Sequence, residues 1–160
     1  MRWIWIDKFV AFESGVSATA IKNVTLAEEH LHDLYPAFPI VPHSLIVEGM
    51  AQTAGILVGE ARNFREKVIL AKIGKAVFHR LVRPGDTLTL CAKIEQLSEQ
   101  GASTSGTVRC GQELVAEIEM MFSHIDQNMA GLRFPKHNFV FTEQFAGLLD
   151  SFRNDKGVGI

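Results

Sequence analysis

The chain has 160 residues, 47% of them hydrophobic and 21% charged, with a formal net charge of −2. That length suits one domain with a sizeable core, plus a terminal appendage. The charge balance gives no global reason to expect nucleic acid or an anionic membrane surface, and no apolar run approaches the roughly 18 residues of a membrane span.

The N-terminus, MRWIWIDKFVAF, alternates and carries Asp7, so it reads as a strand and not as a signal peptide. Residues 2–12 and 16–24 form two predicted strands joined by the turn Glu13-Ser14-Gly15. Trp3, Trp5 and Asp7 share one parity while Ile4, Ile6 and Lys8 take the other, which predicts two largely covered faces. Thr25 with Glu28 fits a capping box and opens a short helix through about Asp33. Prolines then fall at every third position, Pro36, Pro39 and Pro42. A long helix begins at His43 or Ser44 and runs to about Arg62.

From there to residue 124 the pattern is strand-like. EKVILAKIG and KAVFHRLV come first, followed by the turn Arg83-Pro84-Gly85-Asp86. In TLTLCAKIEQL, Leu88, Leu90, Ala92 and Ile94 lie on one face, and in the last strand Leu114, Ala116, Ile118, Met120 and Phe122 alternate with polar residues. The order is β-β-helix-β-β-β-β, an α+β chain whose antiparallel sheet must curl round a single helix that is apolar on most sides. Residues 125–160 read as an extension: a linker with Pro and Asn, the amphipathic segment FTEQFAGLLDSF and a Gly-rich end. If Gln100-Gly101 is a two-residue hairpin turn, Cys91 and Cys110 face each other on paired strands. Neither belongs to a metal-ligand cluster, and both are read as free thiols in a reducing compartment, which places the protein in the cytoplasm.

The helix SLIVEGMAQTAGILVGEARNF holds the unusual chemistry. Gly49, Gly55 and Gly59 each cost roughly 1 kcal/mol relative to alanine, and the last two lie one turn apart, which allows close approach of another backbone. Glu48 stands among Leu45, Ile46, Val47 and Met50. Burial there disfavours the charged form and raises the pKa, so the carboxyl is a candidate general acid. Gln52, four residues on, shares its face and is a candidate orienting partner. An alternative stays open: Glu48 faces solvent or makes a structural hydrogen bond.

Residues 34–52, LYPAFPIVPHSLIVEGMAQ, resemble the signature of the hot-dog-fold 3-hydroxyacyl-acyl-carrier-protein dehydratases of fatty acid synthesis. That family carries H-F-P-x-x-P-x-x-P-G, an apolar stretch and then E-A-x-x-Q, and Pro36, Pro39, Pro42, Glu48 and Gln52 stand in register with it. The likeness runs from WIDKFVAFESG and AIKNVTLAE through VFHRLVRPGDTLTLCAKI to LVAEIEMMF, covering about residues 3–124. It implies a hot-dog domain over residues 1–124 with residues 125–160 as an appendage. It also implies sheets paired edge to edge in a homodimer or a trimer of dimers, with active sites at the subunit interface. The implied chemistry is removal of water from a 3-hydroxyacyl thioester. A histidine takes the α-proton, and the helix carboxyl of the other subunit protonates the leaving hydroxyl. No metal or redox cofactor is implied.

One departure matters. In this register the family histidine falls on Leu34, and the glycine after the third proline is His43. Leucine cannot accept a proton. His43, at the helix N-terminus, is the candidate substitute base or carbonyl contact; His32 is a second candidate, with Tyr35 and Asp33 behind it. The function expected is a 3-hydroxyacyl-ACP dehydratase or hydratase, a carbon–oxygen lyase. The alternative is an acyl-thioester binding protein, thioesterase or isomerase on the same fold.

Leu34, Tyr35, Phe38, Ile40 and Phe78 are candidate walls of an acyl channel. Residues 62–83 hold seven basic side chains, Arg62, Arg65, Lys67, Lys72, Lys75, Arg80 and Arg83, against one acid, Glu66. Such a run suits docking of an acidic acyl carrier protein with its phosphopantetheine-linked chain. Nucleic acid is disfavoured, because an exposed aromatic platform is lacking in this run.

Overall fold

Alternating apolar residues commit most of the chain to strands, and a computed structural model describes residues 4–125, 138, 140, 141 and 143–157. Trp3, most of the linker after residue 125 and the last residues of the Gly-rich end lie outside them. The elements in chain order are β1 (Lys8–Glu13), β2 (Ser17–Asn23), α1 (Glu29–Asp33), α2 (His43–Ala61), β3 (Val68–Phe78), β4 (Thr87–Leu97), β5 (Gly101–Cys110), β6 (Glu113–His124) and α3 (Glu143–Gly157). The strands make one antiparallel sheet in the order β1-β2-β4-β5-β6-β3. This sheet curls round α2, whose side chains from Gln52 to Gly59 are all buried. The expected α+β hot-dog architecture is what forms.

The inward faces follow the period-two pattern. Leu88, Leu90 and Ala92 on β4, Val108 on β5 and Ala116, Ile118, Met120 and Phe122 on β6 are buried against the helix. Burying each large aliphatic or aromatic side chain contributes roughly 1.5–3 kcal/mol, so this lining outweighs the poor helix propensity of the three α2 glycines. The close approach depends on another glycine. A methyl on Gly106, in the middle of β5, would overlap the Met50 thioether.

Several local expectations change. The first strand begins at Lys8 because Trp5 donates its N–H to the Gln52 side chain and leaves the sheet ladder. The Thr25 N–H donates to Glu28 Oε1 at 2.9 Å, half of a capping box, but the helix opens only at Glu29. Of EKVILAKIG and KAVFHRLV, residues 68–78 run on as one strand with irregular register against β6 at Leu70/Lys72 and Ile73/Lys75. The β4–β5 connection spans Ser98–Gln100, closed by the Ser98 N–H on the Gly101 carbonyl, instead of a two-residue turn at Gln100-Gly101. With a further shift at Ile94/Gln96, Cys91 pairs with Thr107 and Cys110 with Leu88. The two thiols are not opposed, and both are free.

The extension turns back on its own chain. Leu149 and Phe152 of α3 are buried, and Phe152 meets Phe12 of β1 at 6.5 Å between ring centroids. Arg153 donates to Glu60 at the end of α2 over 2.8 Å. No helix among the described residues is long and apolar enough to cross a membrane.

Candidate active site

Helical spacing puts Glu48 and Gln52 one turn apart on α2. Gln52 Nε2 donates to Glu48 Oε1 at 2.8 Å, and Gln52 Oε1 accepts the backbone N–H of Trp5 at 2.8 Å. The second bond dictates the first. An N–H can meet only the amide oxygen, so the amide nitrogen must face the carboxyl. Glu48 Oε1 is thereby committed as an acceptor. Gln52 leaves Oε2 as the oxygen turned to other partners. The two residues share the wall of a cavity of about 350 Å³ with the β3 start at Val68–Leu70, with Gly55 and Ile56 of α2, and with Phe122, Phe141 and Phe145. The arrangement is a carboxyl with one fixed oxygen at the side of an apolar hole.

The approach to the helix is held by its prolines and by one backbone bond. Pro42 is the N-cap residue of α2, and Val41 donates its N–H to the Val82 carbonyl at 2.9 Å. Proline has no N–H to satisfy and a fixed φ, so this stretch keeps its course without a ladder of its own. The turn at Arg83–Asp86 is fixed in its turn. Asp86 accepts the Arg83 N–H at 2.9 Å and takes both Arg80 terminal nitrogens at 3.0 Å. Burial pushes the Asp86 carboxyl up. The hydrogen bonds from Arg80, the Arg83 N–H and the Cys110 thiol outweigh it and hold the group below the usual carboxylate range.

Other expected site residues lie elsewhere. His43 is exposed and stacks on Phe78 at 4.0 Å with the planes 2° apart. Neither it nor exposed His32 lines the cavity of its own chain. Leu34, Tyr35 and Phe38 are half exposed on the loop before α2, at 53%, 50% and 47%, and Ile40 is half buried there. None of the five expected channel residues lines the cavity. Phe38 instead lies under the Arg83 guanidinium, 4.4 Å from its ring centroid.

The basic run is also divided. Lys67 is buried, with 6% of its surface exposed, which removes it from any surface patch. It stands just before β3 and is turned inward, where position in the run had counted it as surface. Arg62 is engaged by Glu66 and Arg80 by Asp86 and Glu113. Arg65, Lys72, Lys75 and Arg83 remain exposed, with Lys75 at 4.0 Å from Glu117 and Glu119.

Sequence reasoning missed Trp5 as the holder of Gln52, and Phe122, Phe141 and Phe145 as cavity walls. The two aromatics of FTEQF, Phe141 and Phe145, four residues apart at the opening of the amphipathic segment, were the available signal, although α3 begins only at Glu143.

Comparison with known proteins agrees with this architecture. A family model described as a FabA-like domain matches residues 3–119. The 3-hydroxyacyl-[acyl-carrier-protein] dehydratase FabZ of Caldanaerobacter subterraneus is 37% identical over 121 residues, covering 75% of this chain and 86% of the relative. The FabZ of Chlamydia pneumoniae is 38% identical over 129 residues, 78% of this chain and 84% of the relative. Among solved structures, the dehydratase heterocomplex ApeI:P of Xenorhabdus doucetiae matches with a TM-score of 0.64 at 14% identity, over 78% of this chain and 85% of that one. A thioesterase of Haemophilus influenzae matches with a TM-score of 0.61 at 16% identity, over 78% and 81%, a likeness of fold alone. The chain belongs to the FabA-like family of hot-dog proteins, with the FabZ dehydratases as its relatives.

Proposed function

We propose that this protein interconverts 3-hydroxyacyl and trans-2-enoyl thioesters on acyl carrier protein, as a lyase of fatty acid or related lipid synthesis. The observation that carries the reading is the chain from the Trp5 N–H through Gln52 to Glu48, set in the wall of an apolar cavity. In the dehydration direction a base removes the α-proton, the C2–C3 double bond forms and the C3–O bond breaks. Glu48 Oε2 gives its proton to the departing hydroxyl, which leaves as water. Gln52 positions the carboxyl. No step calls for a metal or redox cofactor. The free thiols of Cys91 and Cys110 suit a cytoplasmic setting.

A homodimer would supply the base. β3 is an edge strand of eleven residues that exposes Leu70, Ile73 and Val77. An open apolar edge of this kind invites pairing. Antiparallel pairing of two β3 strands about Ile73 brings the partner's Phe78 beside Val68, at the cavity wall. His43, stacked on Phe78, would arrive with it. His43 acts in this reading as base or carbonyl contact across the interface. Exposed Arg65, Lys72, Lys75 and Arg83 would receive an acidic carrier protein.

A second reading has one observation in its favour. Leu34 presents an aliphatic side chain where the family resemblance places the base, so thioester binding without dehydration, or thioester hydrolysis, competes. The test is to incubate the purified protein with 3-hydroxyacyl and trans-2-enoyl carrier-protein thioesters and follow mass. Interconversion abolished in Glu48→Gln supports the lyase, and its fall in His43→Ala shows that His43 takes part as base or carbonyl contact. Tight binding without interconversion, or release of a free carrier thiol, replaces the lyase with the second reading.

A further inference from the structure

We propose that the C-terminal extension forms the end wall of the acyl cavity, and that Phe141 and Phe145 set the length of chain accepted. The inference rests on the acyl-thioester reading above. Phe141 and Phe145 lie outside residues 3–119, the span of the family match.

The cavity follows α2. Glu48 lies on its wall near one end of the helix, and Gly55 lines it seven residues further on. Phe141 abuts Gly59, eleven residues from Glu48 and so about 16 Å along the helix axis at 1.5 Å per residue. An acyl chain whose reacting carbons sit at Glu48 would run along this face and meet the two rings. At about 350 Å³ the hole is near the small end of the roughly 300–1,000 Å³ of ligand sites, which favours a medium-length straight chain.

The wall is built into the fold. Asn138 Oδ1 accepts the N–H groups of Val140 and Phe141 at 3.1 and 3.2 Å. Its Nδ2 reaches the carbonyls of Phe64 and Glu66 at 3.2 and 3.3 Å. Phe64 is held in a left-handed conformation, φ 53°, which costs a bulky residue of order 1–3 kcal/mol. In that conformation its N–H reaches the Gly59 carbonyl at 2.8 Å, and its ring meets Phe141 edge-on at 4.9 Å. A methyl on Gly59 would overlap the Phe141 ring. Arg153–Glu60 and the buried Leu149 anchor the rest of α3.

The alternative is that these rings only cover core surface, and chain-length selection separates the two. The full-length protein and the variants Phe141→Ala, Phe145→Ala and Gly59→Ala would be assayed on 3-hydroxyacyl carrier-protein thioesters of stepwise increasing length. Binding of saturated acyl carrier protein, which cannot be dehydrated, would be measured over the same lengths. Wild-type kcat/KM should fall by roughly tenfold or more for each methylene beyond the wall. The alanine variants at Phe141 and Phe145 move this limit to longer chains. Gly59→Ala pushes the Phe141 ring into the cavity and moves it to shorter ones, in a helix that alanine favours over glycine. Absence of turnover at every length would remove the lyase reading alone, because binding still reports the limit. An unchanged limit in folded Gly59→Ala and in either folded phenylalanine variant overturns the end wall.

Discussion

Gln52→Leu removes the hydrogen bonds of the buried amide with Trp5 and Glu48 while nearly conserving volume. The Trp5 N–H, on a half-buried residue, loses this acceptor, and a donor left unmade there costs up to about 1–3 kcal/mol. The Glu48 side loses less, about 0.5–1.5 kcal/mol, because Glu48 is half buried and water can replace the donor. The expected total of about 1.5–4.5 kcal/mol corresponds to a fall in Tm of about 3–18 °C for a chain of this size. Gln52→Glu is the informative companion. It keeps an acceptor for Trp5 but sets a second carboxyl against Glu48, so its deficit should be large at neutral pH and shrink in acid. Melting would be followed by circular dichroism, and turnover by the carrier-protein assay, where a positioning role predicts loss of kcat with little change in KM. A Gln52→Leu variant that melts with wild type would show that this amide holds nothing in place.

Three further outcomes follow from the ion pairs, His30 and the open edge. The Asp86 carboxyl is held low, so its stabilisation is complete above the unfolded value near 4 and is lost as pH falls through the folded one. Asp86→Asn should cost about 1.5–3 kcal/mol at neutral pH by urea unfolding, and that difference should close in acid. Burial lowers the His30 pKa, against Glu28, which raises it. The unfolded chain therefore binds this proton first, so stability drops as pH falls through about 6.5 towards the folded value, and His30→Phe should flatten that limb of the pH–stability curve. Ile73→Lys places like charges across the proposed β3–β3 contact. Sedimentation should show a shift towards monomer, and an unaltered dimer would exclude pairing about this strand.

The fold was readable wherever one periodicity ruled a segment. Leu88, Leu90 and Ala92 declare their face by alternation, and Glu48 with Gln52 by the helical turn, because both relations are local. The cysteine pairing failed because it multiplied a turn assumption along a hairpin. A longer connection and one register shift moved Cys91 to Thr107. Lys67 was placed at the surface by its charge, though the chain is buried where it stands, just before β3. The cavity walls were hidden for another reason. Phe141 and Phe145 stand about ninety residues from Glu48, and only the return of the extension onto α2 brings them together. The loop residues Leu34, Tyr35 and Phe38 were assigned to a channel by proximity in sequence, and in the single chain they stay outside.

Met50 and Gly106 also constrain how this sequence can drift. The thioether occupies the space where any β5 side chain would begin, so each position sets what the other tolerates. Alanine at 106 is penalised while methionine stands at 50, and a shorter residue at 50 leaves a void while glycine stands at 106. Either step alone costs stability, by displacing the Met50 side chain or by emptying its place, and the two together restore a filled interior. The pair is an epistatic lock, crossed by simultaneous change or through a genetic background with stability to spare.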